Sequence, residues 1–483
     1  MADTKIYIQN LFQKRGVVLT PEKQKLFDDF VSSEDNDAAV KLIVETQNKI
    51  MEKWKIMDRV SSILSQQIII PNATVGKKYE AKIDFESLKI TDIVFEKFIG
   101  LEEVGLNFNK VNDAIEGIPN QSGDLKIIFQ FNIIGELEGS VPHEKIITIV
   151  VNPDPKSLWK DIPSDTEDKF WKEDDISKTE KLGNRNIVVA SKRGRSHENV
   201  GSFREDDFAY KHYENSGWSL IAVSDGAGSY SLSRKGSQLA CNSLIEYFDN
   251  LNPIINDDFE LKLSEYNLSQ DEKQFEEIEI LSKHFLYKAV VFVHNKLREN
   301  AEDIYKEHPE LFNNPKAKSI LDYFHSTLIF ALFKKYDFGY VIMTFGVGDC
   351  PIGLMNKDKT ETTLLNWLDV GEFGGGTRFI TQPDIFHSTE RPMASRFNLK
   401  IVPDFSYLFL MSDGIYDPKF VVEANLEKNE KWIEFLKDLE GDNDDKINVE
   451  FDSENTEIAN QLSLWMDFWS PGNHDDRTLA IVF

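Results

Sequence analysis

Cysteine is nearly absent from this 483-residue sequence, since Cys241 and Cys350 are the only two. So few thiols exclude a disulfide framework and a thiolate metal site, and they suit the reducing cytoplasm, where we expect the protein to reside. Positive charge is also scarce, because 55 Lys and Arg residues stand against 82 Asp and Glu residues and leave a net charge of −27. That charge repels phosphate backbones and anionic lipids, so we expect neither a nucleic-acid partner nor a membrane partner.

Long apolar runs are missing as well. No stretch approaches the roughly 18 apolar residues that span a bilayer, and Met1–Asn10 shows no basic region followed by an apolar one, so no secretory signal is evident. The sequence does contain 41% hydrophobic and 12% aromatic residues, which is ample for packed cores. At about 150 residues per domain, the length predicts two or three domains.

The first 67 residues predict a helical segment. Apolar residues recur at helical spacing from Thr20 to about Gln67, and Thr20-Pro21-Glu22-Lys23 is a plausible helix start. The apolar positions are Leu26, Phe27, Phe30, Val40, Ile43, Val44, Ile50, Trp54, Met57, Val60 and Leu64. Such stripes are normally buried, so a packing face is the simpler interpretation and a partner-binding face is the alternative.

From residue 68 to residue 151 the pattern changes to short β-rich runs separated by Pro, Gly and Asn clusters, which predicts an all-β sandwich. This region resembles the immunoglobulin- or cadherin-like modules of bacterial proteins. The segments that carry the resemblance are Pro71–Gly76, Gly100–Leu101, Gly105–Phe108, Ile115–Pro119 and Ser122–Asp124. The resemblance implies a protein partner for this module and no catalytic role.

Residues 152–186 are rich in Pro, Asp, Glu and Lys and predict a linker, in which Trp159 and Trp171 would dock onto a neighbouring domain. A second domain is predicted over 187–483. Within it, Glu276–Asn300 has apolar residues at helical spacing and predicts a helix that lies on a sheet. The stretch Asp369–Thr381 lacks the lysine and the spacing of a nucleotide-binding loop, so we interpret it as a flap or turn beside the site.

Two apolar runs in this domain end in the same three letters. Trp218–Val223 is followed by Ser224-Asp225-Gly226, and Tyr407–Met411 is followed by Ser412-Asp413-Gly414. Each run predicts a buried strand that stops at a carboxylate, where glycine lets the backbone turn sharply. One Asp-Gly is most often only a turn, but two in one domain suggest a metal site.

Three further acids lie at predicted strand ends or turns, namely Asp206, Asp349 and Asp475. The order of all five and the residues around them resemble the metal-dependent serine/threonine protein phosphatases of the 2C type, especially their divergent bacterial branch, over residues 187–483. The matching segments are Arg204–Phe208, Val223–Gly228, His325–Leu328, Gly346–Asp349, Ser412–Asp417 and Asp475–Leu479. The resemblance implies an α+β fold, a two-sheet antiparallel β-sandwich flanked by helices. It also implies hydrolysis of phosphoserine and phosphothreonine in proteins by a metal-activated water.

The resemblance further implies the ligands of two Mg²⁺ or Mn²⁺ ions, which prefer carboxylate and carbonyl oxygens to thiols and imidazoles. The implied metal-ligating residues are Glu205, Asp206, Asp225, Gly226, Asp349, Asp413 and Asp475, and the implied catalytic residues are Asp206, Asp225, Asp413 and Asp475. Asp225 would bridge the two ions, with the Gly226 carbonyl as a further ligand. Asp413 and Asp475 would complete the first ion.

The second ion would be held through waters by Asp206 together with Glu205. Many bacterial relatives have a weaker third ion, and here Asp349 and Asp413 would face it.

The sequence departs from the family pattern at two places. Ala227 stands where many animal relatives have a histidine, so the leaving group would take its proton from water or from another group. Gly201 stands where those relatives have the basic residue that holds phosphate. The candidates for that role here are Arg193, Arg195, His197 and Arg204, and the sequence does not rank them.

Two other functions remain open from the sequence. A catalytically weak or inactive phosphatase-like domain could bind a phosphoprotein as a regulator. Alternatively, the N-terminal module could act as a scaffold whose partner the phosphatase domain regulates. All five acids are present, which favours catalysis.

Overall fold

The computed structural model describes residues 2–369, 376–389 and 391–483. The predicted flap therefore lies partly outside the described residues. The chain divides into two compact units, Met1–Leu158 and Trp159–Phe483. Among the described residues, no helix combines the length and the apolar character needed to cross a membrane.

The N-terminal unit begins with helices, as the apolar spacing predicts. They are α1 (Ala2–Lys14), α2 (Gln24–Val31) and α3 (Glu34–Ser65). Ile8, Phe27, Val31 and Val40 form a small apolar cluster among these helices. At its C-terminal end, α3 contributes Val60 and Ile63 to a larger core that it shares with the β-rich region.

The β-rich region of this unit consists of two sheets over the described residues. The strands are β1 (Ala73–Thr74), β2 (Tyr79–Lys82), β3 (Ile93–Ile99), β4 (Leu106–Asn109), β5 (Ala114–Gly117), β6 (Gly123–Ile133) and β7 (His143–Asn152). One sheet has the order β1-β7-β6-β3 and the other the order β2-β5-β4. The similarity of this region to immunoglobulin-like modules stays a prediction.

The C-terminal unit is built on two antiparallel sheets. The strands are β8 (Asp175–Leu182), β9 (Arg185–Lys192), β10 (Asp207–Tyr213), β11 (Trp218–Ser224), β12 (Leu328–Tyr336), β13 (Gly339–Val347), β14 (Ile352–Asn356), β15 (Thr362–Leu364), β16 (Phe397–Val402), β17 (Phe405–Met411) and β18 (Arg477–Val482). Over the described residues, the first sheet has the order β10-β11-β12-β13-β16 and the second the order β15-β14-β17-β18-β9-β8.

Helices cover the outer faces of both sheets. They are α5 (Ser233–Asp249), α6 (Asp257–Ser269), α7 (Glu272–Glu307), α8 (Asp413–Phe420), α9 (Asn429–Leu439) and α10 (Ile458–Trp465), and the short helix α4 (Arg195–Glu198) follows β9. Helix α7 contains the predicted helix Glu276–Asn300 and confirms it. The first sheet shares a core with α5, α6 and α7, and the second shares one with α8, α9 and α10.

Alternating side chains along the central strands explain why these strands are apolar throughout. In β11, Leu220 and Ala222 belong to the core beneath the helices, whereas Ile221 and Val223 belong to the core between the sheets. A strand that is buried on both faces needs apolar residues at every position. The α+β sandwich flanked by helices is therefore confirmed.

The boundary of this unit differs from the predicted one. The unit begins at Trp159 and not at residue 187, and the predicted linker contains the edge strand β8. β8 pairs along its whole length with β9, from Asp175 opposite Lys192 to Leu182 opposite Arg185. An edge strand pairs on one side only and can keep polar residues, so its sequence is hard to distinguish from a linker.

Candidate metal centre

The five predicted acids lie at one end of the sandwich. Asp206 precedes β10, Asp225 follows β11, Asp349 follows β13, Asp413 follows β17, and Asp475 lies just before β18. The antiparallel pairing sets this arrangement, because the start of β10 pairs with the end of β11 and the start of β18 pairs with the end of β17. The strands of both sheets thus deliver carboxylates to a common edge.

Asp225 is held through its backbone by the Ser-Thr segment that opens β12. Its N–H donates to the Thr327 hydroxyl at 2.9 Å, and its carbonyl accepts the Thr327 N–H at 2.8 Å. Burial raises the pKa of Asp225 well above its ordinary value, and the charge of Asp413 raises it further. The charges of Asp206, Asp475 and Asp349 act in the same direction. Such mutual repulsion is what a bound cation relieves.

Asp413 is placed by the seam between β17 and β18. The Ser412 N–H donates to the Thr478 carbonyl at 2.9 Å, and the Thr478 N–H donates to the Ser412 hydroxyl at 2.9 Å. Oδ1 of Asp413 is buried and has no hydrogen-bond partner within the described part of the chain. Burial raises the pKa of Asp413 well above its ordinary value, with Asp475 and Asp349 adding to the effect.

The two Asp-Gly glycines serve a different purpose from the predicted one. A Cβ on Gly226 would lie 2.7 Å from the Glu205 carbonyl oxygen, and a Cβ on Gly414 would lie 1.9 Å from the Asp476 carbonyl oxygen. Neither residue has a positive φ, so a sharp turn is not the reason for glycine. Both glycines let another backbone segment approach the end of the sandwich that carries the carboxylates closely.

Asp206 and Glu205 are buried at the start of β10. Oδ2 of Asp206 accepts the Thr478 hydroxyl at 2.7 Å, whereas Oδ1 is buried without a partner among the described residues. Oε2 of Glu205 accepts the Ser233 hydroxyl at 2.9 Å. Burial raises the pKa of Asp206 to about 7 and that of Glu205 to about 8, and nearby Asp476 contributes to both.

Asp349 occupies the turn after β13. Its Oδ2 accepts the Thr377 hydroxyl at 2.6 Å, and its carboxylate lies within 4.8 Å of ligand atoms of Asp225 and Cys350. The turn is fixed by buried Asp369, which accepts the Gly348 N–H at 2.9 Å. Cys350 is fully buried and, as a soft thiol, does not suit Mg²⁺ or Mn²⁺.

Asp476 is a structural centre, a role that the sequence does not indicate. Its Oδ1 accepts the Gly194 N–H at 2.5 Å and pairs with Nδ1 of His197 at 2.9 Å, while its Oδ2 accepts the Glu205 N–H at 2.5 Å. Burial alone would raise the pKa of Asp476, but His197 and the two backbone donors lower it. The neighbouring Asp475 is exposed. The two adjacent acids thus differ in role, since Asp476 holds neighbouring segments together and Asp475 is the predicted metal ligand. In the sequence, only their position before β18 indicates these roles.

His197 lies at the edge of the carboxylate cluster. Ligand atoms of His197, Asp475 and Asp476 lie within 4.8 Å of one another. Burial would lower the pKa of His197, but the hydrogen bond to Asp476 and its charge raise it to about 9. A Cβ on Gly228 would lie 3.8 Å from Nε2 of His197 and 3.6 Å from Oε2 of Glu205. The imidazole therefore stands between the C-terminal strand and the loop that follows Asp225.

Arg204 does not suit the predicted phosphate-holding role. It is 2% exposed, and its guanidinium donates to the Glu173 carbonyl at 2.9 Å, the Ser191 hydroxyl at 2.7 Å and the Asp206 carbonyl at 2.6 Å. A buried guanidinium bonded to protein oxygens supports the backbone of the acids and does not reach a substrate. Arg204 is therefore a structural residue.

Lys172 is a second residue that the sequence reasoning missed. Its buried Nζ donates to the Asp206 carbonyl at 2.6 Å and to Oδ2 of Asp207 at 3.0 Å. Longer contacts reach Ser237 Oγ and the Arg234 carbonyl, both at 3.3 Å. Lys172 lies in the predicted linker, where no pattern distinguishes it from a solvated lysine.

Arg193 and Arg195 line a cavity of about 280 Å³ together with Lys192 and Arg477. Arg193 is buried and bonded to the Ser202 carbonyl at 2.8 Å. Arg195 is bonded to the Asp467 carbonyl at 2.7 Å. Of these two arginines, Arg195 is the less enclosed and remains a phosphate-holding candidate beside His197.

A second cavity, of about 600 Å³, opens beside Glu205 and Gly228. Phe170, Phe203, Tyr230, Leu232 and Leu311 contribute to its lining. The Arg234 guanidinium covers the Phe203 ring at 3.9 Å and pairs with Asp168 at 2.8 Å. The cavity therefore presents apolar walls next to a predicted metal ligand.

Comparison with known proteins gives a family match for this part of the chain. The family described as protein phosphatase 2C matches residues 193–463. No curated protein sequence matches the chain.

Solved structures with similarity to the chain include three phosphatases. A bacterial serine phosphatase is 15% identical, with 61% of this chain and 96% of that chain covered and a TM-score of 0.34. A serine/threonine phosphatase from Staphylococcus aureus is 14% identical, with 63% and 97% covered and a TM-score of 0.35. The catalytic domain of the phosphatase PstP, in complex with 2 manganese ions, is 16% identical, with 61% and 96% covered and a TM-score of 0.34.

Proposed function

This chain belongs to the protein phosphatase 2C family, and from that membership we propose that its C-terminal unit hydrolyses phosphoserine and phosphothreonine in proteins with the help of Mg²⁺ or Mn²⁺. The observation that carries the proposal is the convergence of buried carboxylates with unused oxygens. Oδ1 of Asp206 and Oδ1 of Asp413 are buried without a partner in the described part of the chain. Buried anionic oxygens are costly unless a cation pairs with them.

The donor set fits two hard divalent cations. Asp225 is central among the acids, since the charges of Asp413, Asp206, Asp475 and Asp349 all act on it, and we assign it to bridge both ions. The proposed ligands of the first ion are Asp225, Asp413 and Asp475. Those of the second are Asp225, the Gly226 carbonyl, and Glu205 with Asp206 through waters. Asp349 and Asp413 would face a third.

Divalent cations bound here would supply an activated water nucleophile and positive charge beside the phosphoryl group. The protein supplies positioning. Asp476 orients the His197 imidazole through Nδ1 at 2.9 Å and leaves Nε2 directed away from that bond. We assign His197, with Arg195 as the second candidate, to hold the substrate phosphate. Ala227 offers no acid at the family position, so the leaving oxygen would take its proton from water.

The substrate polypeptide would lie along the 600 Å³ cavity. Glu205 and Gly228 line this cavity and also border the carboxylate cluster, so a phosphoresidue at the cluster would place its neighbours against Phe203 and Tyr230. A groove that combines aromatic side chains with polar and charged ones beside the cluster suits a protein substrate.

The test is turnover of a phosphoserine peptide and of p-nitrophenyl phosphate by the full chain with Mn²⁺, with and without chelator. Asp225→Asn should lower turnover by about 1,000-fold, since one preorganised electrostatic contact is worth 10²–10³ and this residue touches both ions. Asp358→Asn, an exposed turn position, is the matched control and should match the parent. Manganese binding by the parent without turnover would overturn the proposal in favour of a phosphoprotein-binding regulator.

A further inference from the structure

Helix α3 exposes a continuous row of apolar side chains. We name Ile43, Ile50, Trp54, Met57 and Leu64 the apolar seam. Ile50 is 62% exposed, Trp54 60% and Met57 66%. The packing face predicted from the sequence is thus only partly buried. The side chains of α3 that pack into a core are Val40, Val60 and Ile63, and none of them belongs to the seam.

The other faces of α3 explain why the seam stays exposed. Near its start, Val40 packs with residues of α1 and α2. Near its end, Val60 and Ile63 pack on the β-rich region. At 100° per residue, Ile63 lies about 120–140° around the helix from Met57 and Ile50, and Val60 lies about 60–80° from them. The helix is therefore anchored at both ends by residues that flank the seam but do not belong to it.

The spacing of the seam is that of a coiled coil. Ile43, Ile50, Met57 and Leu64 are seven residues apart, and Trp54 lies four after Ile50 and three before Met57. In a heptad repeat, the four residues spaced by seven are d positions and Trp54 is an a position. Apolar residues at a and d bring two helices together along one stripe. Between Ile43 and Leu64, Gln47 and Ser61 occupy the other a positions, and Gln47 donates to the Tyr7 hydroxyl of α1 at 3.4 Å. Val40, the a position before Ile43, is buried among α1 and α2. A polar residue at an a position fixes register at some cost in stability.

The charges beside the seam indicate what the partner is. In this heptad frame Lys53 is at a g position and Asp58 is at the following e position, and both are exposed. In a parallel pair of identical helices, Lys53 of one chain faces Asp58 of the other, so the sequence complements itself. The polar residues of α3 mix acids and bases, which does not suit an anionic membrane surface.

We propose that α3 forms a parallel, in-register coiled coil with α3 of a second copy of this chain. The dimer buries the apolar seam and pairs Lys53 with Asp58 across the interface twice. It is independent of the proposed catalysis, because the seam belongs to the N-terminal unit and the carboxylate cluster belongs to the C-terminal unit.

The first test is the molar mass of the full chain by sedimentation and light scattering at micromolar concentration. A dimer has twice the chain mass of 55.6 kDa. Ile50→Glu with Trp54→Glu should weaken the dimer by at least about 100-fold, because two apolar side chains per chain lose their burial. Asn48→Glu with Lys55→Glu, on the opposite side of α3, is the matched control and should stay dimeric. Circular dichroism and p-nitrophenyl phosphate turnover should be the same in both variants.

The second test addresses orientation. Cys241 and Cys350 are buried, so a cysteine introduced by Met57→Cys should form an intermolecular disulfide under mild oxidation, whereas one introduced by Asn48→Cys should not. Lys53→Glu and Asp58→Lys should each weaken the dimer, and the double variant should restore it. A monomeric parent, whether its seam is free or covered by another part of the same chain, would overturn the proposal. Failure of the charge swap to restore the dimer would overturn the parallel arrangement.

Discussion

Replacing Asp476 with asparagine should destabilise the metal-free protein, whereas the same replacement at Asp475, one residue earlier, should not. Asp476 is 2% exposed and accepts from Gly194 N–H, Glu205 N–H and His197 Nδ1. An asparagine keeps one acceptor oxygen and turns the other into a donor. Because the two backbone donors bind different oxygens, one of them must then face an NH₂ group.

The size of the loss follows from those contacts. A hydrogen bond to a charged group contributes roughly 1.5–3 kcal/mol, and a buried donor without a partner adds a desolvation cost of similar size. Asp476→Asn should therefore lower the free energy of unfolding by about 2–4 kcal/mol. Asp475 is exposed, and in the metal-free chain its negative charge repels the neighbouring carboxylate of Asp413. Asp475→Asn should leave the free energy of unfolding within about 0.5 kcal/mol of the parent.

The assay is urea unfolding of the full chain in chelator at pH 7, followed by tryptophan fluorescence. Trp218, Trp432 and Trp465 are fully buried in the C-terminal unit and report its unfolding. Calorimetric titration with Mn²⁺ is the second measurement. In that titration Asp475→Asn should lose more affinity for Mn²⁺ than Asp476→Asn does. If Asp476→Asn unfolds at the same urea concentration as the parent, or Asp475→Asn falls as far, the division of tasks between the two acids is wrong.

Three further outcomes follow from the same end of the sandwich. Burial raises the pKa of Glu205 from 4.5 to about 8, so the stability that this acid contributes to the metal-free chain is complete below its unfolded pKa and is lost as pH rises through 8, at up to about 1.4 kcal/mol for each pH unit. The free energy of unfolding should therefore be lower at pH 8 than at pH 5, and saturating Mn²⁺ should remove the difference. Gly226→Ala should abolish turnover, because its Cβ would lie 2.7 Å from a carbonyl oxygen, whereas Gly228→Ala, whose nearest contact is 3.6 Å, should keep the fold and measurable activity. Lys172→Met should lower the melting temperature and weaken Mn²⁺ binding, since it removes the ammonium that pairs with Oδ2 of Asp207 at 3.0 Å and one of the two donors to the Asp206 carbonyl, at a cost of about 1–3 kcal/mol. An unchanged melting temperature for Lys172→Met would contradict this role.

The central strands could be predicted from the sequence because each is buried on both faces. β11 and β17 carry apolar residues at nearly every position, and the acid that follows each one marks where it ends. β8 could not be predicted in the same way. It is bonded on one side only, its sequence Asp175–Leu182 is mostly polar, and its pairing depends on β9 being next to it in space. The local pattern of apolar residues therefore predicts a buried strand well and a strand at the exposed edge of a sheet poorly.

In the candidate site, likewise, some residues could be predicted from the local sequence and others could not. Carboxylates at strand ends have a local signature, so the sequence indicated Asp225 and Asp413. The groups that hold these acids do not, because Asp476 and Lys172 act through contacts with residues far away in the chain. Arg204 shows the reverse error, since proximity in sequence to the first acidic motif suggested a substrate contact that its burial excludes.

The apolar stripe of α3 could be predicted from the sequence, but its role as a packing face or as a partner-binding face could not. The exact period of the stripe favours the partner-binding face. A straight α-helix drifts by about 20° per heptad relative to a seven-residue repeat. From Ile43 to Leu64 the repeat runs for three heptads, so on a straight helix Leu64 would lie about 60° away from Ile43. A flat packing face inside one domain gives no reason to keep a strict spacing of seven. A left-handed supercoil with a second helix does, because supercoiling removes the drift and returns every seam residue to the partner.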